Sequence, residues 1–403
     1  VKHFAWAVAL AFGLQATAAR AQSFELDTLL PDDIPGYGAP FAFADSDPAD
    51  ALGDPAGLKI GGLAVRPALA LAGGFDSGPQ GTARGSALLQ AAPSVAVTDA
   101  AIGFAGFAGG TVTAEPQAPV GNAADGEIGA GEEAVLPGET ITLGGAFVKA
   151  QETGFDLATV VPAQKVDFSL VDLRAGDAIT LGRFSLAPAL GLTDDRFAGV
   201  AAAENRTEAR ESLTAGFSPD GQGRIVLRWG AAQQQSADAA LDARNWEMLA
   251  GVEDTAADLW RVRLLAGAAW RQPAHGVGLT APVLEAALDW LPFETDQVRL
   301  RLAHELDDPD AIAAAPYTLT AAELSLRHEG PGDGTVRLSG EVSRADYIGA
   351  PLRETLVGLD ATLDWPLNRA LGLRFDYAFN DRQANFLRAA NEQVITAAIR
   401  WTP

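Results

Sequence analysis

The chain has 403 residues, a formal net charge of −23, 48% hydrophobic residues and no cysteine. The acidic balance leaves no basic stripe for a phosphate backbone and excludes nucleic acid as a partner. The missing cysteine excludes disulfide frameworks, thiolate metal sites and thiol nucleophiles.

Lys2 and His3, the apolar run from Phe4 to Leu14 and the end Ala19-Arg20-Ala21 read as a secretory signal over 1–21, with cleavage after Ala21. The run is too short for a spanning helix, which needs ~20 apolar residues, and no later stretch supplies one. A mature chain addressed to a membrane must therefore cross it as strands. Residues 22–60, with Pro31-Asp32-Asp33, Pro35, Asp47-Pro48 and Asp54-Pro55, read as a flexible periplasmic segment without a hydrophobic period.

From 61 to 403, alternation of apolar and polar residues predicts about sixteen strands. The clearest places Trp260, Val262, Leu264, Ala266, Ala268 and Trp270 on one face, with Arg261, Arg263, Gly267 and Arg271 on the other. At ~3.3 Å per residue and ~45° of tilt, the two tryptophans stand ~23 Å apart along the membrane normal, close to the ~25 Å apolar band of an outer-membrane barrel. Leu264 is thus expected to face lipid and Gly267 to face the lumen, where a polar substitution should be milder than Leu264→Arg. Trp229, Trp246, Trp260, Trp270, Trp290, Trp365 and Trp401 form the expected aromatic girdle.

Connections alternate in length: Arg174 to Asp177 and Pro366 to Arg369 read as short turns, 193–205 and 307–316 as longer loops. Short periplasmic turns, long outer loops and an even strand count put both barrel termini in the periplasm. The stretch 113–156, with Glu127, Glu132 and Glu133, reads as a long acidic loop, and alternation near Ile141 to Phe147 admits an extra strand there. The last strand ends on Ile395, Ala397, Ile399 and Trp401, a terminal aromatic pattern like the one such barrels present to their assembly machinery. The expected fold is an all-β, transmembrane, antiparallel up-and-down β-barrel in the outer membrane of a Gram-negative cell, in contact with lipid and lipopolysaccharide.

The expected inner face carries charge in rows: Arg228, Arg261, Arg263, Glu285, Asp289, Arg299, Arg301, Glu323, Arg337, Glu341, Asp360 and Arg374. Opposite charges directly across a strand pair attract, so the pattern fits either a salt-bridged wall or a solute track. The acidic clusters Asp194-Asp195 and Asp307-Asp308-Pro309-Asp310 read as solvated loops, or as oxygen ligands for Ca²⁺ or Mg²⁺ bridging to lipopolysaccharide phosphates. No Gly-x-Ser-x-Gly elbow, P-loop or His-Glu-x-x-His occurs, and His304 with Ser325 is the pair one could propose for a lipase. Neither enzymatic activity nor a cofactor or metal is expected.

Two regions resemble the putative β-barrel porin 2 family. Gly61-Gly62-Leu63-Ala64-Val65-Arg66-Pro67, running into Gly73-Gly74-Phe75-Asp76-Ser77, is similar to the family's opening strand. Arg344-Ala345-Asp346-Tyr347, followed by Trp365-Pro366-Leu367-Asn368-Arg369, Tyr377, Arg382 and Asn385, is similar to its closing hairpins. Gly78 and Ala384 depart from the family's usual Asn and Ser. The resemblance implies a link to capsular or exopolysaccharide export and to its components. At about sixteen strands a barrel encloses an aqueous channel unless loops plug it. A non-conducting structural or interaction barrel is the other reading.

Overall fold

A computed structural model describes residues 34–37, 57–78, 84–152, 155, 166–199, 202, 205–219, 223–257, 259–293, 295–307, 316–330, 332 and 334–403. The expected signal at 1–21 lies outside them, as does most of the segment 22–60. No helix among the described residues is long and apolar enough to cross a membrane.

A short strand β1 (Leu58–Ile60) turns at Gly61 into β2 (Leu63–Asp76), the first stave of a closed barrel. The remaining staves are β3 (Ser86–Asp99), β4 (Phe104–Ala114), β5 (Ala123–Leu136), β6 (Glu139–Glu152), β7 (Val166–Leu181), β8 (Phe184–Phe197) and β9 (Arg206–Phe217). They continue as β10 (Gly223–Ser236), β11 (Ala243–Ala257), β12 (Trp260–Pro273), β13 (Leu279–Phe293), β14 (Asp296–Asp307) and β15 (Tyr317–Glu329). The last four are β16 (Thr335–Tyr347), β17 (Arg353–Pro366), β18 (Leu371–Ala384) and β19 (Ala390–Trp401). Each pairs antiparallel with its sequence neighbour, and β19 closes on β2 from Val394↔Asp76 to Trp401↔Leu69.

The barrel has 18 strands against the sixteen expected. The difference lies in 113–156, which is the hairpin β5–β6 and not a loop. Among β5's outward positions Ala124, Gly126, Ala130 and Ala134 are small and Glu132 is charged, leaving Ile128 and the terminal Leu136 as the large apolar residues, so the hydrophobic alternation is weak. A second correction concerns Arg174 to Asp177, which lie inside β7. The chain turns instead at Gly182-Arg183, where Gly182 has φ 64° and takes the left-handed backbone that a tight turn requires.

Short turns such as Pro137-Gly138 and Gly182-Arg183 fall at the end that holds Leu63 and Trp401, whereas the longest connection, 153–165, falls at the opposite end. An even strand number puts Leu63 and Trp401 at the same end, and the connection lengths match periplasmic turns and outer loops. Along most of the wall the exposed apolar side chains of a stave share one parity, as where Leu264 is 46% exposed and its neighbour Leu265 is 2%; Val135 and Phe293 depart from it at or next to strand ends. Water would penalise such an exterior, and hydrocarbon accepts it.

Candidate functional site in the barrel lumen

Parity places the polar residues on the concave face, and side chains from separated staves meet there. Arg228 on β10 contacts Glu285 on β13 and lies 3.3 Å from Glu247 on β11. Arg263 reaches Glu253 at 2.6 Å, and Arg224 shares that carboxylate. Arg299 holds Asp289 at 2.7 Å, and Arg261 stands opposite Asp289 in register. Arg301 approaches Glu323 at 4.0 Å. Arg337 lies 3.6 Å from Asp364, which Arg374 approaches at 4.0 Å while bonding Asp376 at 2.7 Å. Glu341 accepts a hydrogen bond from Ser343, and Asp360 sits opposite Ser339 and Ala378. The arginines therefore stand beside carboxylates along this arc, which removes strong single-sign fields from the wall.

Beneath the Arg228–Glu285 bridge the inner face is apolar: Val226, Leu249, Leu265 and Val283 form a buried cluster. The backbones of β11 and β12 approach closely here at two glycines. A Cβ on Gly267 would lie 1.8 Å from the Met248 carbonyl oxygen, and one on Gly251 would lie 1.8 Å from that of Leu264. A side chain at Gly267 therefore carries a cost from backbone contact that parity alone does not reveal.

The outer mouth is pinched. Phe155, in the connection after β6, is buried among Tyr317, Leu319, Ala345, Tyr347 and Leu356 on β15–β17. In an eighteen-stave ring these lie nearly opposite β6. Three residues of chain beyond Glu152 span at most ~10 Å, so the walls approach one another at this end. Tyr347 also packs edge-on against Phe386, and its hydroxyl donates to Glu354 at 3.4 Å. Glu354 is in turn paired with fully buried Arg382. Ala345, Tyr347 and Arg382 belong to the closing-hairpin resemblance, but their burial against Phe155 and Glu354 is not legible in the sequence, because it depends on residues brought together across the barrel.

On β4–β7 the lumen holds a different contact. Ile34 and Tyr37 are each 1% exposed and pack with Phe107 and Ala146. The Tyr37 hydroxyl donates to the Asp172 carbonyl at 2.7 Å, and Arg174 lies 4.8 Å from the ring centroid. Burial, reinforced by the Asp172 carboxylate, pushes the Tyr37 phenol up, so it remains a neutral donor. Nearby, Glu127, Arg374, Arg400, Ser94, Thr111 and Phe107 line a small cavity of about 60 Å³. Glu132, expected in an acidic loop, shares the outward parity of Ile128 toward the turn end of β5.

On the outer face, Trp229, Trp246, Trp260, Trp270, Trp290, Trp365 and Trp401 are all exposed. Trp260 stacks on Trp290 at 5.2 Å, and Trp246 stands opposite Trp270. Phe184 and Phe217, absent from the expected girdle, also stand on the outer face, with rings 5.0 Å apart. His304 contacts Thr320 on the outer face, whereas Ser325 faces inward, so the lipase pair is not assembled. Asp194 bonds Arg196 at 2.6 Å and Asp195 bonds Arg206 at 2.8 Å, so arginines occupy that acidic cluster; the cluster at 307–310 is described only at Asp307, which accepts from Tyr317. No group able to hold a metal ion occurs among the described residues.

A closed antiparallel wall, apolar outside and charged within, defines a porin-like β-barrel of the outer membrane. Residues 231–401 match the family model described as putative beta-barrel porin 2, which takes in the closing-hairpin resemblance but not the opening one. No curated protein matches the sequence. Among solved structures, the chain is similar to OccK2 (OpdF) of Pseudomonas aeruginosa in complex with glucuronate, at TM-score 0.45 and 9% identity over 84% of this chain and 98% of that one. It is similar to the siderophore receptor PirA of Pseudomonas aeruginosa at TM-score 0.41 and 9% identity, over 83% and 80%. A bacterial polysaccharide outer membrane secretin matches at TM-score 0.38 and 9% identity, over 85% and 99%.

Proposed function

We propose that this protein is a narrow outer-membrane channel for small polar solutes and carries no catalytic activity. The observation that supports this reading is the ion-paired inner wall, from Arg224–Glu253 to Arg374–Asp376, set inside an exterior fit only for lipid. Paired charges keep a wall wet without binding one ion tightly. The pinch at Phe155 reduces the outer opening below that of an unobstructed 16–18-stranded porin. Purified protein in planar bilayers should give ohmic, salt-dependent steps smaller than those of open porins. Absence of current under all salts would favour the second reading, a non-conducting structural barrel, to which the occupied lumen lends weight.

A role in capsular or exopolysaccharide export is proposed on family resemblance alone, with export components as partners. Loss of surface polysaccharide in a deletion strain would support it, and normal surface polysaccharide would remove it. Contact with lipopolysaccharide along the outer face and recognition of β19 by the assembly machinery belong to the same proposal.

A further inference from the structure

Ile34-Pro35-Gly36-Tyr37 form a tight turn: the Tyr37 amide donates to the Ile34 carbonyl at 2.9 Å, with proline second and glycine third at φ 88°. That is the residue pattern of a type II turn. The wall beneath lacks side chains at the points of contact. A Cβ on Gly131 would lie 2.2 Å from the Pro35 carbonyl oxygen, and one on Gly144 would lie 2.6 Å from the Tyr37 ring. Around this bed stand specific partners. The Asp172 carbonyl accepts from the phenol, Arg174 lies against the ring and is itself held by the Asp172 carboxylate at 2.8 Å, and Phe107 and Ala146 complete the apolar contact. Two glycines, an acceptor and a cation placed to fit one short turn make a built site, not a chance contact.

We infer that the inner wall of β4–β7 is a receptor for a Pro-Gly-Tyr turn, filled by the chain's own residues 34–37, and that this internal occupant is displaceable and narrows the passage. The narrowing rests on the channel reading above; the receptor does not. The turn is held by noncovalent contacts and is joined to β1 by the connection 38–56, so its docking is an intramolecular binding event. A short connection gives an effective concentration of order mM, and a free peptide must reach that range to compete.

The test uses the full chain in two variants, Tyr37→Ala and Gly144→Val. A labelled synthetic peptide of sequence Asp33 to Gly38 should bind Tyr37→Ala barrels at least tenfold more tightly than wild type, whose site is filled, and should bind Gly144→Val no better than wild type. In planar bilayers both variants should conduct at least twofold more than wild type, and mM peptide should reverse the gain only in Tyr37→Ala. Equal peptide binding by all three proteins, each folded by heat-modifiable mobility, would overturn the receptor. Selective binding with unchanged conductance would overturn the narrowing. Selective binding with no current from any variant would retain the receptor while removing the channel reading.

Discussion

Two arcs of the same wall handle their inner faces in opposite ways. From β10 to β18 the concave side carries arginines and carboxylates that bridge between staves, as Arg228 does to Glu285 and Arg299 to Asp289. From β3 to β6 it carries small residues such as Ala92, Ser94, Ala96, Ala105, Gly131 and Gly144, and one chain turn rests on the smooth trough they make. Both arcs satisfy the same outward requirement for lipid. Strand parity therefore fixes what faces the membrane, while the lumen is free to be filled by paired charge in one place and by a docked segment in another.

The sharpest break of the charged arc is Glu354→Gln. Its carboxylate is fully buried against Arg382, and removing one partner of such a pair costs about 3–5 kcal/mol. Urea unfolding in detergent should show a loss in that range; a change near zero would mean the pair is solvated. Next comes Leu264→Arg on the outward face, expected to cost ~2–4 kcal/mol if the residue lies near the bilayer midplane. Harmless insertion of the arginine would reverse the face assignment.

Two glycine substitutions contrast the arcs directly. Gly267→Ser forces a side chain against the wall's own backbone and should cost ~1–3 kcal/mol, at the upper end because a carbonyl cannot swing aside. Gly131→Ala meets chiefly the docked Pro35 carbonyl, so it should release the turn while changing barrel stability by less than ~1 kcal/mol. Protease sensitivity near residues 34–37 would rise in the second variant and not in the first. Equal loss of barrel stability in both would erase the distinction drawn between the arcs.

Legibility in the sequence follows this division. In β12 the tryptophan ends and the arginines between them expose both faces, and residues 231–401, where such patterns recur, are also where the family model matches. In β5 the outward positions are mostly Ala and Gly, so the period-2 signal falls away and the strand reads as acidic loop. Arg174 to Asp177 resemble a turn in composition, yet ladder pairing from β6 and β8 carries β7 through them. The Pro-Gly turn at 35–36 is a legible local signal, but its docking depends on glycines about a hundred residues away in sequence, which no local pattern can supply. Likewise the pinch at Phe155 depends on β15–β17, and the contact at Gly267 depends on register with β11.

The central claim is a water-filled lumen enclosed by a lipid-facing wall, and native cysteine-free sequence makes it directly measurable. Single cysteines at 324, 325 and 326 on β15, challenged with a charged, membrane-impermeant thiol reagent in liposomes, read the two faces in adjacent residues. Ser325→Cys should label rapidly, while Leu324→Cys and Leu326→Cys, on the exposed apolar parity, should be shielded by lipid. Equal labelling of all three, or labelling of 324 and 326 with 325 protected, would contradict the account.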